Sequence, residues 1–254
     1  MSHSQPLAGQ TVLVTGASGG IGAAIVERLS AEGARPIIHY GRDRQGAEAL
    51  LRKIGGNGLR VQADLSSPDG AFALWRDALA AAGRIHAVVN NAGIRTEVSI
   101  DAAPSDWRAA WQKEFQVNFF AAADLCKQAL LHFRENGGGR IVNMASRAGQ
   151  RGYAADAMAY GATKAALINL TKSIARSFGS DGVVAVAIAP GWVRTEMAED
   201  FVTKHGKDAA VGDIPIGEMA ETAEIAELVA FLLRPSQASV NGATFDVNGG
   251  SYIR

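Results

Sequence analysis

Thr15-Gly16-Ala17-Ser18-Gly19-Gly20-Ile21-Gly22 joins a short β-branched run, Thr11 to Val14, to a segment of helical period, Ile21 to Glu32. Between a strand and a helix each glycine acquires a purpose: Gly16 permits the tight turn, Gly20 lets the backbone approach a pyrophosphate, and Gly22 allows close helix packing. The helix start adds free amides and the positive end of a dipole. A glycine-rich turn alone is more often only a turn, and its position after the first strand is what gives it a phosphate-binding reading.

Working outward, the alternation continues with Ile37 to Tyr40 and then Arg44 to Ile54, which is βαβα order. Such order demands right-handed crossovers between parallel strands, with helices on both faces of the sheet. Further strands are Leu59 to Ala63, Ala87 to Asn90, Arg140 to Met144, Val183 to Ile188 and Thr244 to Val247. All are short and apolar, as strands buried on both faces should be. The expected fold is an α/β, doubly wound sheet of seven mainly parallel strands forming one domain over 1–254. Ser67-Pro68 reads as the capped start of a helix running to Ala82. Asp106 to Glu135 and Ala157 to Phe178 read as two long helices, the second apolar enough to pack on another subunit. The segment 194–217, with mixed charge and several glycines, reads as a mobile substrate lid.

Composition narrows the function. The 254 residues include 25 basic and 25 acidic ones with no basic cluster, which argues against a nucleic-acid partner. No apolar run has membrane length, and the start MSHSQPLAGQ reads as neither signal peptide nor anchor, so a cytoplasmic protein is expected. The single cysteine, Cys126, excludes an intrachain disulfide and has no clustered partner for a metal.

Two further clusters carry chemistry. Asn90-Asn91-Ala92-Gly93 ends the fourth strand, at the carboxyl edge where such sheets hold ligands, although an Asn-Gly turn alone is commonplace. Ser146 follows the fifth strand, and Tyr160 and Lys164 stand four apart, so both project from one helix face. An ammonium beside a tyrosine favours the phenolate and brings its pKa toward working pH.

Together these residues resemble the short-chain dehydrogenase/reductase superfamily, a Rossmann-type fold, from the glycine loop to Asp246-Val247-Asn248-Gly249-Gly250. Val117-Asn118, Tyr160-Gly161-Ala162-Thr163-Lys164 and Pro190-Gly191-Trp192-Val193-Arg194-Thr195 are similar to the 3-oxoacyl-carrier-protein reductase-like group. The resemblance implies an NAD(P)(H)-dependent oxidoreductase acting on a small carbonyl or alcohol substrate. Tyr160 would be the acid/base, Ser146 would orient the substrate oxygen, and Lys164 would bind nicotinamide ribose and lower the tyrosine pKa. Asn118 would hold a water linking Lys164 to solvent. Gly16, Ser18, Gly20, Ile21 and Gly22 would meet the pyrophosphate side of the cofactor, and Asp64 and Leu65 its adenine. Asn90, Ala92 and Gly93 would line its channel, while Pro190, Gly191, Val193 and Thr195 would fix the nicotinamide. Ser146 and Tyr160 are one residue further apart than is usual in that family. A homotetramer is also implied.

The end of the second strand, His39-Tyr40-Gly41-Arg42-Asp43-Arg44, places Tyr40 where NAD enzymes carry an acidic residue, and Arg42 just beyond it. An arginine there accommodates a 2′-phosphate, so NADP(H) is expected over NAD(H), with Asp43 the complicating neighbour. A sugar or polyol dehydrogenase is the competing enzyme reading, and a dinucleotide-binding sensor or interaction protein is the competing reading without catalysis.

Overall fold

A computed structural model of the chain describes residues 5–254, apart from the side chain of residue 197. Seven strands form one wholly parallel sheet in the order β3-β2-β1-β4-β5-β6-β7. They are β1 (Thr11–Val14), β2 (Arg35–Tyr40), β3 (Leu59–Gln62), β4 (Ala87–Asn90), β5 (Gly139–Met144), β6 (Val183–Pro190) and β7 (Thr244–Val247). The chain winds outward from β1 to β3, then crosses back to lay β4 on the other side of β1. The register across that seam, Val12 to Ala87 and Val14 to Val89, brings the two strand ends side by side. A crevice opens at such a reversal of winding direction.

Helices α1 (Gly20–Ala31), α2 (Arg44–Lys53) and α10 (Thr222–Leu233) cover one face, burying Ile25, Leu29, Leu50, Ile225 and Val229 against Val14, Ile38 and Ile188. The other face is covered by α3 (Gly70–Ala82), α5 (Ala121–Glu135) and α7 (Met158–Phe178), whose Leu74, Leu125, Phe133 and Ile174 pack on Leu13, Val88 and Ile141. Burying side chains of this size contributes about 1.5–3 kcal/mol each, which fixes the strand ends in space. Leu167, Ile168, Ile174 and Ala175 of α7 are buried within the chain itself, so most of the apolar character of that helix needs no second subunit.

Three helical expectations change. The helix foreseen from Ser67 begins at Gly70 with no side-chain cap, because residues 64–70 form turns in which the Asp64 carboxylate accepts from Ser66 N and Oγ. The long helix foreseen from Asp106 starts at Pro104, and it comprises α4 (Pro104–Phe115), a π-helical turn (Gln116–Phe120) and α5. Such turns bulge a helix outward and occur often beside functional sites. The excursion at 194–217 contains α8 (Glu196–His205) and α9 (Lys207–Val211), while the short α6 (Ala148–Arg151) follows β5. No helix among the described residues is long and apolar enough to cross a membrane.

Gly22 packs where no side chain fits: a Cβ there would press on the Gly16 carbonyl and lie 2.7 Å from Asn91 Nδ2 and 2.9 Å from Ala17 Cα. Gly19 is extended at φ −161°, and a Cβ on it would meet nothing within 4 Å among the described residues. Gly22→Ala should therefore cost about 1–3 kcal/mol of stability by overpacking, and Gly19→Ala under about 0.5 kcal/mol. Urea denaturation of the two variants checks this, and equal losses would contradict the packing account.

Candidate active site

Hydrogen bonds between side chains and main chain first place the glycine loop. Thr15 Oγ1 accepts from the amides of Asn91 and Ala92 at 3.0 and 2.9 Å, and Asn91 Nδ2 donates to Thr15 O at 2.9 Å and Gly16 O at 3.1 Å. His39, buried at the end of β2, accepts from Gly16 N through Nδ1 at 3.0 Å, while Nε2 lies 3.2 Å from Ala63 O. The first bond needs an unprotonated Nδ1, so the ring is neutral with its proton on Nε2. Burial pushes its pKa down to about 4. The sequence reading missed Thr15, His39 and Asn91 as supports of the loop.

Between this loop and α7 lies a cleft of about 710 Å³. Gly16, Ser18, Gly20 and Ile21 line one end, Asp64 and Leu65 flank it, and Ala92 and Gly93 form the floor. Ser146, Tyr160, Lys164, Pro190, Gly191, Val193 and Thr195 close the other end. Gly22 stands behind the loop as packing. Asn90 does not line the cleft: it is buried between β4 and β5, where Nδ2 donates to Asn143 Oδ1 at 2.8 Å. Asn143 in turn donates to Thr171 Oγ1 at 2.9 Å, tying the sheet to α7, and the enclosed Cys126 thiol is pushed up to about 12 by burial.

Tyr40 likewise turns away, into the core beside Leu50 and Val14, and Gly41 takes the place in the cleft wall expected for it. Arg42 lines the cleft next to Gly41. Asp43 is occupied as the cap of α2, its Oδ1 accepting from Gly46 N at 2.8 Å, and no ion pair joins it to Arg42 among the described residues.

Burial pushes the Tyr160 phenol up to about 12, with a hydrogen bond from Ser146 acting the other way. Lys164 Nζ donates to Met144 O at 2.8 Å and lies 5.6 Å from the centre of the Tyr160 ring. Lys164 is itself brought down to about 8 by burial, opposed by the carboxylate of Glu114. Glu114, fully buried on α4, is raised to about 7 by burial; Oε1 accepts from Thr96 N at 3.3 Å and Oε2 has no partner among the described residues. Asn118 sits in the π-helical turn, its Oδ1 accepting from Ile94 N and its Nδ2 donating to Ile94 O, both at 2.8 Å. Nδ2 also reaches Thr163 Oγ1 at 3.3 Å, so the side chain joins the loop after β4 to α7.

A nicotinamide dinucleotide fits these surfaces. The amides at the start of α1 have no side-chain cap, the space beyond Gly19 is open, and a Cβ on Gly93 would stand 3.3 Å from Lys164 Nζ. A long groove with an amide-rich end, and with a hydroxyl pair and an ammonium at the other, can hold a dinucleotide and pass a proton to a carbonyl oxygen.

Comparison with known proteins agrees with this class of oxidoreductase. A family profile described as enoyl-(acyl carrier protein) reductase matches residues 16–252. The 3-oxoacyl-[acyl-carrier-protein] reductase of Vibrio cholerae is 34% identical over 247 residues, covering 97% of this chain and 99% of its own length. That of Escherichia coli is 32% identical, covering 96% and 98%, and that of Synechocystis is 33% identical, covering 97% and 98%. The chain belongs to the short-chain dehydrogenase/reductase family, whose members use a nicotinamide dinucleotide.

The state of His39 predicts a pH dependence of folding. Its folded pKa of about 4 lies below its ordinary 6.5, so between those values the unfolded chain takes up a proton that the folded chain excludes. Stability should be flat in this contribution above pH 6.5 and fall as pH drops toward 4. Between pH 7 and 4.5, wild type should lose about 2–3 kcal/mol more than His39→Gln in urea unfolding. Equal losses would mean that the ring is not held neutral.

Proposed function

We propose that the chain is an NADP(H)-preferring carbonyl reductase of the 3-oxoacyl-carrier-protein reductase type. The observation that carries this reading is the meeting of Ser146, Tyr160 and Lys164 in the wall of a cleft whose far end is the glycine loop. The relatives, named as 3-oxoacyl-[acyl-carrier-protein] reductases, support the 3-oxoacyl assignment.

The cofactor, when bound, supplies a hydride to the carbonyl carbon. Ser146 donates a hydrogen bond to the carbonyl oxygen and fixes its position. Tyr160, kept protonated by burial, gives its proton to that oxygen, so that C=O becomes CH–OH and a phenolate remains until solvent restores the proton. Lys164, cationic below about pH 8, stabilises the phenolate. Asn118 acts as a positioning residue, through Ile94 and Thr163. Arg42 meets the 2′-phosphate, a role supported by Gly41 in the wall and by the diversion of Asp43 into a helix cap.

The working form in this reading is a homotetramer. Phe120 and Leu131 along the α4–α5 unit, Met158 on α7, Phe231 on α10 and Ile253 near the C-terminus are exposed apolar side chains on faces such an assembly would cover.

Tyr160→Phe removes only the transferable proton. Reduction of acetoacetyl-carrier protein should fall by about 10²- to 10⁴-fold while dinucleotide affinity stays nearly unchanged. Substantial activity in that variant would remove tyrosine from the mechanism. For cofactor choice, kcat/KM should favour NADPH over NADH, and Arg42→Ala should shrink that ratio by about tenfold or more. A wild type indifferent to the phosphate would overturn the preference, and an unchanged ratio in the variant would exonerate Arg42.

A further inference from the structure

A second cavity of about 490 Å³ adjoins the cleft and shares Arg95, Arg147, Tyr153 and Trp192 with its wall. Arg147 directly follows Ser146, and its amide donates to Pro190 O at 2.9 Å, which holds its backbone on the strand ends. Its side chain is only 5% exposed. A guanidinium taken out of water beside the reacting end of a substrate is costly unless paired.

The pairing in place is incomplete. Arg147 Nη1 reaches both oxygens of Asp213 at 3.2 Å, and Arg151 Nη1 claims the same carboxylate at 2.8 Å. Two cations thus share one carboxylate, and the described side-chain hydrogen bonds of Arg147 all come from Nη1, with Nε and Nη2 not among the enclosed, unpartnered atoms. Arg95 is already satisfied by Glu97 and by Tyr153 Oη, and its guanidinium lies 5.4 Å from the centre of the Phe201 ring. Asp156 lines the same cavity but is exposed and forms no ion pair among the described residues.

Position sets what this charge can meet. The Tyr153 ring lines both cavities and stands 5.6 Å from the Tyr160 ring, so the second cavity adjoins the proposed proton donor through Tyr153. Asp213 follows α9 in the segment after β6, so the carboxylate now on Arg147 belongs to a surface segment and is 43% exposed. It shows the kind of group that the two guanidiniums accept.

We infer that this cavity is a carboxylate subsite of the reductase cleft, in which Arg147 selects oxo compounds bearing a carboxylate several bonds from the reacting carbonyl. The inference rests on the carbonyl-reductase reading and adds free oxo acids to the carrier-protein thioesters as a substrate class. Arg147 is a specificity residue here, separate from the proton transfer.

The test uses matched probes, 4-oxopentanoate, 5-oxohexanoate and 6-oxoheptanoate, each beside its neutral methyl ester. Isothermal titration into the NADP⁺-loaded protein should show at least one acid binding about 10- to 100-fold tighter than its ester. Arg147→Met should erase that difference while leaving ester affinity close to wild type, and Arg147→Lys should restore part of it. A merely structural ion pair would weaken acid and ester alike in Arg147→Met. That result, or equal binding of every acid and its ester by wild type, would overturn the subsite. Steady-state reduction of the same pairs with NADPH separates the two claims: selective binding without turnover would sink the reductase reading and leave the subsite standing.

Discussion

The hydroxyl of Thr15 governs the geometry of this protein more than any other single group. It accepts two amides from the end of β4, while Asn91 returns two hydrogen bonds to the carbonyls of residues 15 and 16. Thr15 is buried, and a buried donor or acceptor left unmade there would cost about 1–3 kcal/mol, so the two strand ends are locked at one separation. The glycine loop hangs from that lock, and His39 holds it from the other side. Since β4 also pairs with β5, which delivers Ser146, the same lock sets the distance from the amides of α1 to the hydroxyls of Ser146 and Tyr160.

Burial then sets the chemistry. A tyrosine pushed up to about 12 keeps its proton at neutral pH, as the proposed proton transfer requires, and a lysine lowered to about 8 still carries its charge there. Glu114 lies close enough to oppose the lowering of Lys164, and its own proton is held to about pH 7. Protonation states across the site therefore depend on how much water enters the cleft.

Most of the architecture was legible in the sequence, because parallel strands alternating with helices leave short apolar runs punctuated by glycine, and the bounds of β1, β4 and β7 match the periodic reading. What escaped were choices of side at strand ends. Tyr40 turns into the core and Gly41 into the wall; Asn90 turns inward and Asn91 toward the loop. Successive strand residues point to opposite faces, and when both faces are buried, composition does not reveal which neighbour faces the cleft. The π-helical turn at 116–120 was hidden for a different reason, since one extra residue in a turn leaves helical periodicity almost intact. His39 read as a strand residue because its two partners, Gly16 and Ala63, lie 23 and 24 residues away.

In the proposed reaction a hydride reaches a ketone carbon in this cleft while a side chain protonates the oxygen. Reduction of acetoacetyl-carrier protein with NADPH deuterated at the transferable position of C4 tests it most directly, with the product analysed by mass spectrometry and proton NMR. The expected product is a 3-hydroxyacyl chain carrying one deuterium on C3, the carbon that bears the hydroxyl. A hydroxyacyl product with no deuterium, or the absence of any reduction, would contradict it.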